Sequence, residues 1–291
     1  MHPTRVTFRD RSGPLLAEGK QQSSFTIADD DAYILFGKTE PIIGKSLTTV
    51  IDPELPKWLG DFISSDLPRM IEGYAAKLGP PPTGQPMLMA SWNGPTSGVT
   101  RMGGSVLPGT VVVTFEGDRM LQPSDAARDH VRWFVAHESA HFWLGQVVVY
   151  DGPQDSWITE GGADLLAIRA VAAADPSYDA AKRLREARDE CLPFLVKGGV
   201  ATANERGDHR AYYACGAIIA LAAEQASGGD FASFVRALID KHGGDSIVTR
   251  AEWLSLLEER APGMSAEVVK LLDQPHIDAA AALDAFASRS G

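Results

Sequence analysis

The chain is predicted to be an α+β protein, with a mixed α/β N-terminal half followed by an all-helical C-terminal half. Up to about residue 120, short β-branched and aromatic runs stand between turn-forming residues, which is typical of strands. After Ser124, apolar residues recur at helical spacing as far as the C-terminus. At 291 residues, with 44% hydrophobic and 22% charged residues, the chain can bury a sizeable core as one large domain or two lobes.

The elements of the N-terminal half follow from these patterns. Strands are predicted at residues 6–8, 24–27, 32–36, 87–92 and 111–115. A single helix is predicted over 55–78, because its apolar side chains fall largely on one face, and the Gly- and Pro-rich residues 79–84 end it. Residues 93–104 are predicted to be a Gly-rich loop. We therefore expect an N-terminal segment over 1–84 and a core over 85–291, with sheet to about residue 120.

The helical half begins with a helix predicted over 124–147, with Ser124 as its N-cap. The next helix carries Glu160, and Thr159 is its predicted N-cap. Further helices are predicted at 177–197, 209–226, 230–242, 249–260, 264–273 and 277–288. Loops are predicted near 198–208 and at 242–244. Residues 148–291 are therefore expected to form a helical lobe.

The segment His137-Glu138-Ser139-Ala140-His141 has the pattern H-E-x-x-H, and Glu160 follows after a gap of eighteen residues. On a helix, His137 and His141 share a face, so their imidazole nitrogens can bind one metal ion. Glu160 can supply a third ligand, and the fourth position of a catalytic zinc stays open to water. The pattern predicts one Zn²⁺ per chain, with Glu138 as the general base. The alternative is a helix with two ordinary histidines, but the helix is largely apolar, and unpaired polar groups buried there would be costly.

Two segments then resemble a known family. His137–Gly145 and Trp157–Ala163 are similar to the two signature segments of the gluzincin aminopeptidases, the aminopeptidase N family, and the gap between them is the same. Gly103–Gly109 stands where the family has G-A-M-E-N-P-G, on an edge strand beside the cleft, and Tyr213–Gly216 resembles the family's Y-x-K-G. The resemblance covers roughly residues 85 to 240. It implies a thermolysin-like zincin catalytic domain.

The resemblance also suggests roles for residues outside the metal motif. Tyr213 is the candidate donor to a tetrahedral oxyanion, with His209 as the alternative. Asp164, four residues after Glu160, is the candidate partner that orients a ligand histidine. Substrate binding, by strand addition to the edge strand, is expected at Gly103, Gly104, Ser105 and Val106.

Three residues depart from the family pattern, and the first two bear on specificity. Val106 replaces the family's glutamate, which binds the free amino group of the substrate, and Leu107 replaces the asparagine beside it. The lysine of Y-x-K-G is Cys215. An apolar pair cannot hold an ammonium group, so the hydrolytic residues look complete while the aminopeptidase anchor is missing. Glu116 is the carboxylate near enough in sequence to be considered as a replacement.

The sequence thus predicts a zinc-dependent metallohydrolase, specifically a peptidase acting on a peptide or small amide. A gluzincin-like hydrolase of a non-peptide substrate is one alternative. A binding module that keeps zinc without catalysis is another, although such a module would need neither Glu138 nor Tyr213.

Composition bounds the remaining possibilities. A net charge of −11 without a basic run makes nucleic acid an unexpected partner. No apolar stretch approaches eighteen residues, so no membrane helix is expected, and residues 1–20 contain no signal-peptide core. The expected location is the cytoplasm, unless a leader has been removed. Cys191 and Cys215 are expected to be two reduced core thiols.

Overall fold

The computed structural model of the chain describes residues 5–11, 13–17, 20–28, 32–37, 40–81, 84–242 and 247–290. It is a mixed α/β structure that divides into two compact units, Met1–Ala75 with Pro80–Phe142, and Ala76–Gly79 with Trp143–Gly291. The strands are β1 (Arg5–Phe8), β2 (Leu15–Ala17), β3 (Lys20–Gln22), β4 (Phe25–Ala28), β5 (Ile34–Leu35), β6 (Ile42–Ile43), β7 (Thr48–Ile51), β8 (Met87–Trp92), β9 (Arg101–Leu107), β10 (Thr110–Glu116), β11 (Val149–Tyr150) and β12 (Ile247–Val248). The helices are α1 (Lys57–Ser65), α2 (Leu67–Leu78), α3 (Asp125–Ala140), α4 (Trp157–Ala174), α5 (Ala180–Lys197), α6 (Arg210–Gln225), α7 (Phe231–His242), α8 (Arg250–Arg260), α9 (Met264–Asp273) and α10 (Ala279–Ser290).

The first unit is built on a five-stranded sheet in the order β6-β7-β8-β10-β9. β8 runs parallel to both β7 and β10, and β9 pairs antiparallel with β10 at the edge. Val111, Val113 and Phe115 alternate along β10 and are fully buried on one face. Phe115 contacts Phe134 of α3 edge to face, with ring centroids 6.2 Å apart, so α3 covers this face of the sheet.

The opposite face of the sheet packs on the N-terminal strands. Leu16 of β2 forms a buried cluster with Val50 of β7 and with Met87 and Met89 of β8, and Tyr33 packs against this cluster. The expected division into a segment over 1–84 and a core over 85–291 stays a prediction. The β7–β8 pair joins strands from the two sides of that boundary.

Two features of the first unit differ from the prediction. The helix expected over 55–78 is interrupted at Asp66, giving α1 and α2. Pro68 explains the break, because proline has no N–H to bond to the preceding turn but is tolerated in the first turn of a new helix. The loop expected over 93–104 ends earlier, since β9 begins at Arg101 and contains both Gly103 and Gly104.

Helices make up most of the second unit. The six helices predicted after residue 175 are confirmed, with ends within three residues of those expected. The segment 198–208 contains two short 3₁₀ turns instead of regular helix. Of the loop predicted at 242–244, His242 ends α7, and residues 243 and 244 lie outside the described residues. None of the helices within the described ranges combines the length and apolar character needed to cross a bilayer.

Two predicted helix boundaries near the metal motif are wrong. α3 has the expected Ser124 N-cap, which accepts from the Ala127 N–H at 3.1 Å, but it ends at Ala140 instead of residue 147. Further along, Gly145 adopts a φ of 118°, which no helix residue has, so the helix cannot extend to residue 147. α4 begins at Trp157, so Thr159 lies inside its first turn, and its hydroxyl donates to the Ser156 carbonyl at 3.3 Å.

The expectation of two reduced cysteines is also wrong. Cys191 of α5 and Cys215 of α6 form a disulfide, with their Cα atoms 4.9 Å apart. The sequence gives only their separation of 24 residues. The close packing of α5 on α6, with Cys191 and Cys215 almost fully buried, brings the two sulfur atoms together.

Candidate metal centre

The two histidines of the H-E-x-x-H segment stand at the C-terminal end of α3. His137 lies in its last turn, and His141 is the C-cap residue with helical backbone angles. Both side chains are buried, at 3% and 9% exposure, so they stay on the shared face that the spacing predicts. The Tyr74 hydroxyl donates to the Ala136 carbonyl at 3.1 Å and holds this turn against α2.

His137, His141 and Glu160 form a group that could hold a metal ion. One ligand atom from each residue lies within 4.8 Å of the other two. The Nε2 atoms of the two histidines are 3.2 Å apart. Two ligands of a tetrahedral zinc ion, each about 2.0–2.1 Å from the metal, are about 3.3–3.4 Å apart, so this spacing fits. Two imidazole nitrogens and one carboxylate oxygen are also the ligand types of a catalytic zinc.

The carboxylate of Glu138 lies against the edge strand β9. A Cβ atom built on Gly104 would be 2.0 Å from the Glu138 Cδ, well inside any allowed contact. Gly104 pairs with Val113 of β10, and paired residues share a face of the sheet, so Gly104 faces α3. The strand on which substrate binding was predicted is therefore in direct contact with the predicted general base.

The four residues predicted to bind substrate lie on two faces of β9. Val106 pairs with Val111 and shares the α3 face with Gly104. Ser105 pairs with Val112 on the opposite face, where the Tyr33 hydroxyl donates to its side chain. Gly103 is on that face too, next to the Thr114 hydroxyl. Of these four residues, Gly104 and Val106 therefore face α3, which carries Glu138, and Gly103 and Ser105 face away from it.

Glu116, the candidate replacement for the amine anchor, stands at the far end of the strand pair. It is opposite Arg101 in the register, and its carboxylate forms an ion pair with Arg101 at 3.3 Å. Val106 is five positions away from Arg101 along the strand, about 16 Å at the usual rise per residue. Glu116 therefore does not lie beside Val106, and its charge is already compensated by Arg101. Neither property suits a replacement for the amine anchor.

Glu160 is carried on α4, which packs backbone to backbone on α6. A Cβ on Gly161 would be 2.1 Å from the Gly216 carbonyl carbon, and a Cβ on Gly216 would be 2.9 Å from the Gly161 Cα. Eight residues further along both helices, Arg169 of α4 forms a two-point ion pair with the buried Glu224 of α6. The glycine contact explains why Gly161 directly follows Glu160, since a side chain there would push the two helices apart.

Tyr213 lies on α6, three residues before Gly216, and Arg210 covers its ring with the guanidinium carbon 4.9 Å from the ring centroid. Arg210 is in turn held by Glu190 of α5 through two contacts of 2.9 Å. The hydrogen bonds that Arg210 donates to Glu190 raise the pKa of Arg210, and the nearby charge of Asp164 acts in the same direction. Asp164 is buried at 4% exposure.

The residues close to Tyr213 in sequence, Tyr212 and the alternative donor His209, have other environments. Tyr212 is 3% exposed, and its hydroxyl accepts from the Asn204 N–H at 3.1 Å, so it is a packing residue. Burial raises the pKa of Tyr212. His209 is an exposed residue at the start of α6.

Sequence reasoning missed three parts of this region: the disulfide, the Arg210 contact with the Tyr213 ring, and the Gly161–Gly216 crossing. The glycines had a usable signal, because glycine in the middle of an apolar helix is unfavourable unless close packing requires it. The Glu190–Arg210 pair had none, because its partners are twenty residues apart on different helices.

Comparisons with known proteins agree on one family. Residues 109–274, more than half of the chain, match the model of the peptidase family M1 domain. The chain is 27% identical over 165 residues to aminopeptidase N of Lactococcus lactis subsp. lactis, which is 52% of this chain and 19% of that protein.

Solved structures share the fold at low sequence identity. Native leukotriene A4 hydrolase from Saccharomyces cerevisiae superposes with a TM-score of 0.67 at 16% identity, over 96% of this chain and 48% of that one. The M1 zinc metallopeptidase from Deinococcus radiodurans gives a TM-score of 0.61 at 17% identity, over 94% of this chain and 65% of that one. A mutant of the latter has been solved with a Tyr-Ser-Ala substrate. The chain therefore spans about half the length of the yeast enzyme and a fifth of the Lactococcus protein.

Proposed function

The chain belongs to peptidase family M1, and from this premise we propose that it is a zinc-dependent peptidase. The observation that carries the proposal is the convergence of His137, His141 and Glu160 within 4.8 Å, with Glu138 on the same helix turn. The proposed fold of the catalytic domain is thermolysin-like, with an α/β N-terminal lobe and a helical C-terminal lobe.

In this proposal, His137, His141 and Glu160 hold one zinc ion per chain. When bound, zinc would lower the pKa of water toward neutrality and polarise a substrate carbonyl. Asp164, on the same face of α4 as Glu160, would orient a ligand histidine by accepting its second N–H. Ligand histidines usually have such a partner. Asp164 is buried, which supports this role over that of a solvated surface carboxylate.

Glu138 would act as the general base and then as the general acid. Its carboxylate accepts a proton from the attacking water and delivers that proton to the leaving amine nitrogen. The peptide would bind along the edge strand β9, whose outer backbone groups are available for strand addition. Gly104 would bring the backbone of that strand close to the scissile bond.

Tyr213 would donate a hydrogen bond to the oxyanion of the tetrahedral intermediate. Its ring is covered by the Arg210 guanidinium, which Glu190 fixes from α5. These contacts leave the side chain few rotamers. A donor held in this way needs no reorganisation as charge develops on the oxygen.

The proposed specificity is a peptidase that does not depend on a free N-terminus. The α3 face of β9 presents Gly104, which lies against Glu138, and Val106, and the carboxylate of Glu116 at the far end of the strand pair is paired with Arg101. An ammonium group placed against Val106 would lose its hydration without gaining an anion. N-blocked peptides, internal peptide bonds and small non-peptide amides are therefore the favoured substrates.

Metal analysis and one conservative variant test the proposal. We expect about one zinc per chain in protein purified without added metal, and its loss in the His141→Ala/Glu160→Ala double variant. Glu138→Gln should keep the zinc and the fold but lower turnover by about 10²–10⁴-fold, because an amide cannot accept the proton. Unchanged zinc in the double variant would contradict the ligand set. Wild-type turnover in Glu138→Gln would contradict the mechanism.

A further inference from the structure

The surroundings of Tyr213 on α6 are set from a second helix, α5. Arg210, one helical turn before Tyr213, lies over its ring with the guanidinium carbon 4.9 Å from the ring centroid, within the range of a cation–π contact. The Nε and Nη2 atoms of Arg210 donate to the two carboxylate oxygens of Glu190, each at 2.9 Å. This two-point contact fixes the plane of the guanidinium, so the position of Glu190 on α5 determines where Arg210 can lie.

The ion pair of Arg210 with Glu190 is not explained by helix stability. Arg210 is the first residue of α6, and a cation there opposes the positive N-terminal end of the helix dipole. The side chains of Arg210 and Glu190 keep 48% and 36% of their surface exposed, and ion pairs at such exposure contribute little to stability. A role in holding the Tyr213 ring explains why a cation stands at this position.

A disulfide joins α5 to α6 beside this ion pair. Cys191 directly follows Glu190, and Cys215 lies two residues after Tyr213. Three residues beyond Glu190, α5 contains Pro193, which has no N–H to donate to the preceding turn. The backbone hydrogen bonding of α5 is therefore interrupted near Glu190, and the covalent bond fixes this part of the helix. The family's Y-x-K-G has lysine where Cys215 stands, so the bond is a feature of this chain.

We propose that Glu190 is a positioning residue for Tyr213, which it holds through Arg210, and that the Cys191–Cys215 bond keeps Glu190 in place. The proposal rests on the proposed function for the role of Tyr213 as the oxyanion donor, and on the geometry for the contacts. A displacement of about 1 Å in a reacting group can cost about 10²-fold in rate. Loss of Glu190 can cost no more than loss of the Tyr213 hydroxyl, because Glu190 acts only through that group.

Crystal structures test the contacts without any assay of activity. In Glu190→Ala, the Arg210 guanidinium should leave the Tyr213 ring, with its carbon more than about 6 Å from the ring centroid, the limit of a cation–π contact. Glu259→Ala is the matched control, because Glu259 forms a two-point ion pair of comparable exposure with Lys241. It should leave the guanidinium over the ring. A guanidinium that stays in place in Glu190→Ala would overturn the proposal.

Kinetics test the consequence for turnover. Glu190→Ala should lower kcat by about tenfold, less than the loss of a whole oxyanion donor, with little change in KM, zinc content or unfolding temperature. Glu190→Gln keeps one acceptor for the guanidinium and should lose less. Glu259→Ala should retain the wild-type kcat. Wild-type turnover in Glu190→Ala, or a loss of zinc or of stability, would refute the positioning role.

A double-mutant cycle separates positioning from a merely structural role. In the Tyr213→Phe background, Glu190→Ala should have almost no further effect on kcat, because the hydroxyl that Glu190 positions is absent. A structural role would instead give the same fold-loss in both backgrounds. That result would reject the coupling between Glu190 and Tyr213.

The disulfide is tested by the same comparison. Cys191→Ala/Cys215→Ala should lower kcat with zinc retained, and adding Glu190→Ala should then cost less than it does with the bond intact. Full turnover of the cysteine variant, or independent effects, would overturn the role of the bond. If the wild-type protein cleaved no peptide at all, the proposed function would fail, while the crystal structures would still decide whether Glu190 holds Arg210 on the Tyr213 ring.

Discussion

We expect the side chain of Val106 to decide what the site accepts at the substrate's N-terminus. Because it faces α3 beside Gly104 and carries no charge, we expect kcat/KM to be higher for an N-acetylated peptide than for the same peptide with a free amine. Val106→Glu should shift this preference toward the free amine by roughly tenfold, the effect of one charged hydrogen bond. Leu107→Glu, with its side chain on the other face, is the matched control. A wild-type preference for the free amine would mean that another group binds it.

Tyr213 and Tyr212 offer a second comparison between neighbouring residues. Tyr213→Phe should lower kcat by roughly 10²–10³-fold, as expected for the loss of one oxyanion donor, with stability nearly unchanged. Tyr212→Phe removes the acceptor of the Asn204 N–H and should instead cost about 1 kcal/mol of folding free energy with kcat retained. Turnover and urea unfolding of both variants would measure this, and the reverse pattern would reassign the oxyanion donor.

At the scale of single residues, the sequence predicts those parts of the site whose residues are close together in the chain. His137 and His141 come together because four residues make about one helical turn, and that requires no knowledge of the fold. The contact between Glu138 and Gly104 joins α3 to an edge strand, so it depends on how the helix packs on the sheet. No spacing in the sequence contains that information. The same is true of Arg210 and Glu190.

At the scale of helices and strands, α4 and α6 cross with their backbones in contact at Gly161 and Gly216, so a larger residue at either position would clash. Alanine in place of glycine inside a helix normally stabilises it by up to about 1 kcal/mol. At Gly216, however, the new Cβ would be 2.8 Å from the Trp157 carbonyl oxygen and 2.9 Å from the Gly161 Cα. We expect Gly216→Ala to destabilise the fold by about 1–3 kcal/mol, because overpacking outweighs the helix propensity. Zinc affinity should fall as well, since α4 carries Glu160.

Denaturant unfolding and zinc titration of Gly216→Ala would check this expectation. Gly73→Ala is the control, because it makes the same change in a helix where no atom lies within 4 Å of the new methyl group. It should be neutral or slightly stabilising. Equal effects of the two substitutions would indicate that the helices separate without cost.

Helices were easier to predict than strands in this chain. The C-terminal helices are ten residues or longer and have recognisable ends, such as the capping box at Thr249 and Glu252 that begins α8. The sequence predicts no strand at β2, β3, β6, β7, β11 or β12, which are two to four residues long, because so few residues show no periodicity. α3 was predicted too long because residues 142–144 are as apolar as a helix face, although the chain turns there.

For the molecule as a whole, the disulfide has two implications. Disulfides persist in oxidising compartments and are rare in the cytosol, so the Cys191–Cys215 bond weighs against the cytoplasmic location, which stays a prediction. Closing a loop of 24 residues should stabilise the fold by about 3 kcal/mol in the chain-entropy account. We expect Cys191→Ala/Cys215→Ala to lower the unfolding temperature by several degrees while zinc remains bound. An unchanged temperature would show that the packing of α5 on α6 suffices.

The same bond determines what proteolysis can release. Residues 198–208, which lack regular helix, are enclosed between Cys191 and Cys215. A peptide bond cut there would leave both fragments joined through sulfur. A nicked molecule would therefore migrate as one band on a gel without reductant and as two bands with it. It would also keep the N- and C-terminal fragments, and with them His137 and Tyr213, in a single covalent species.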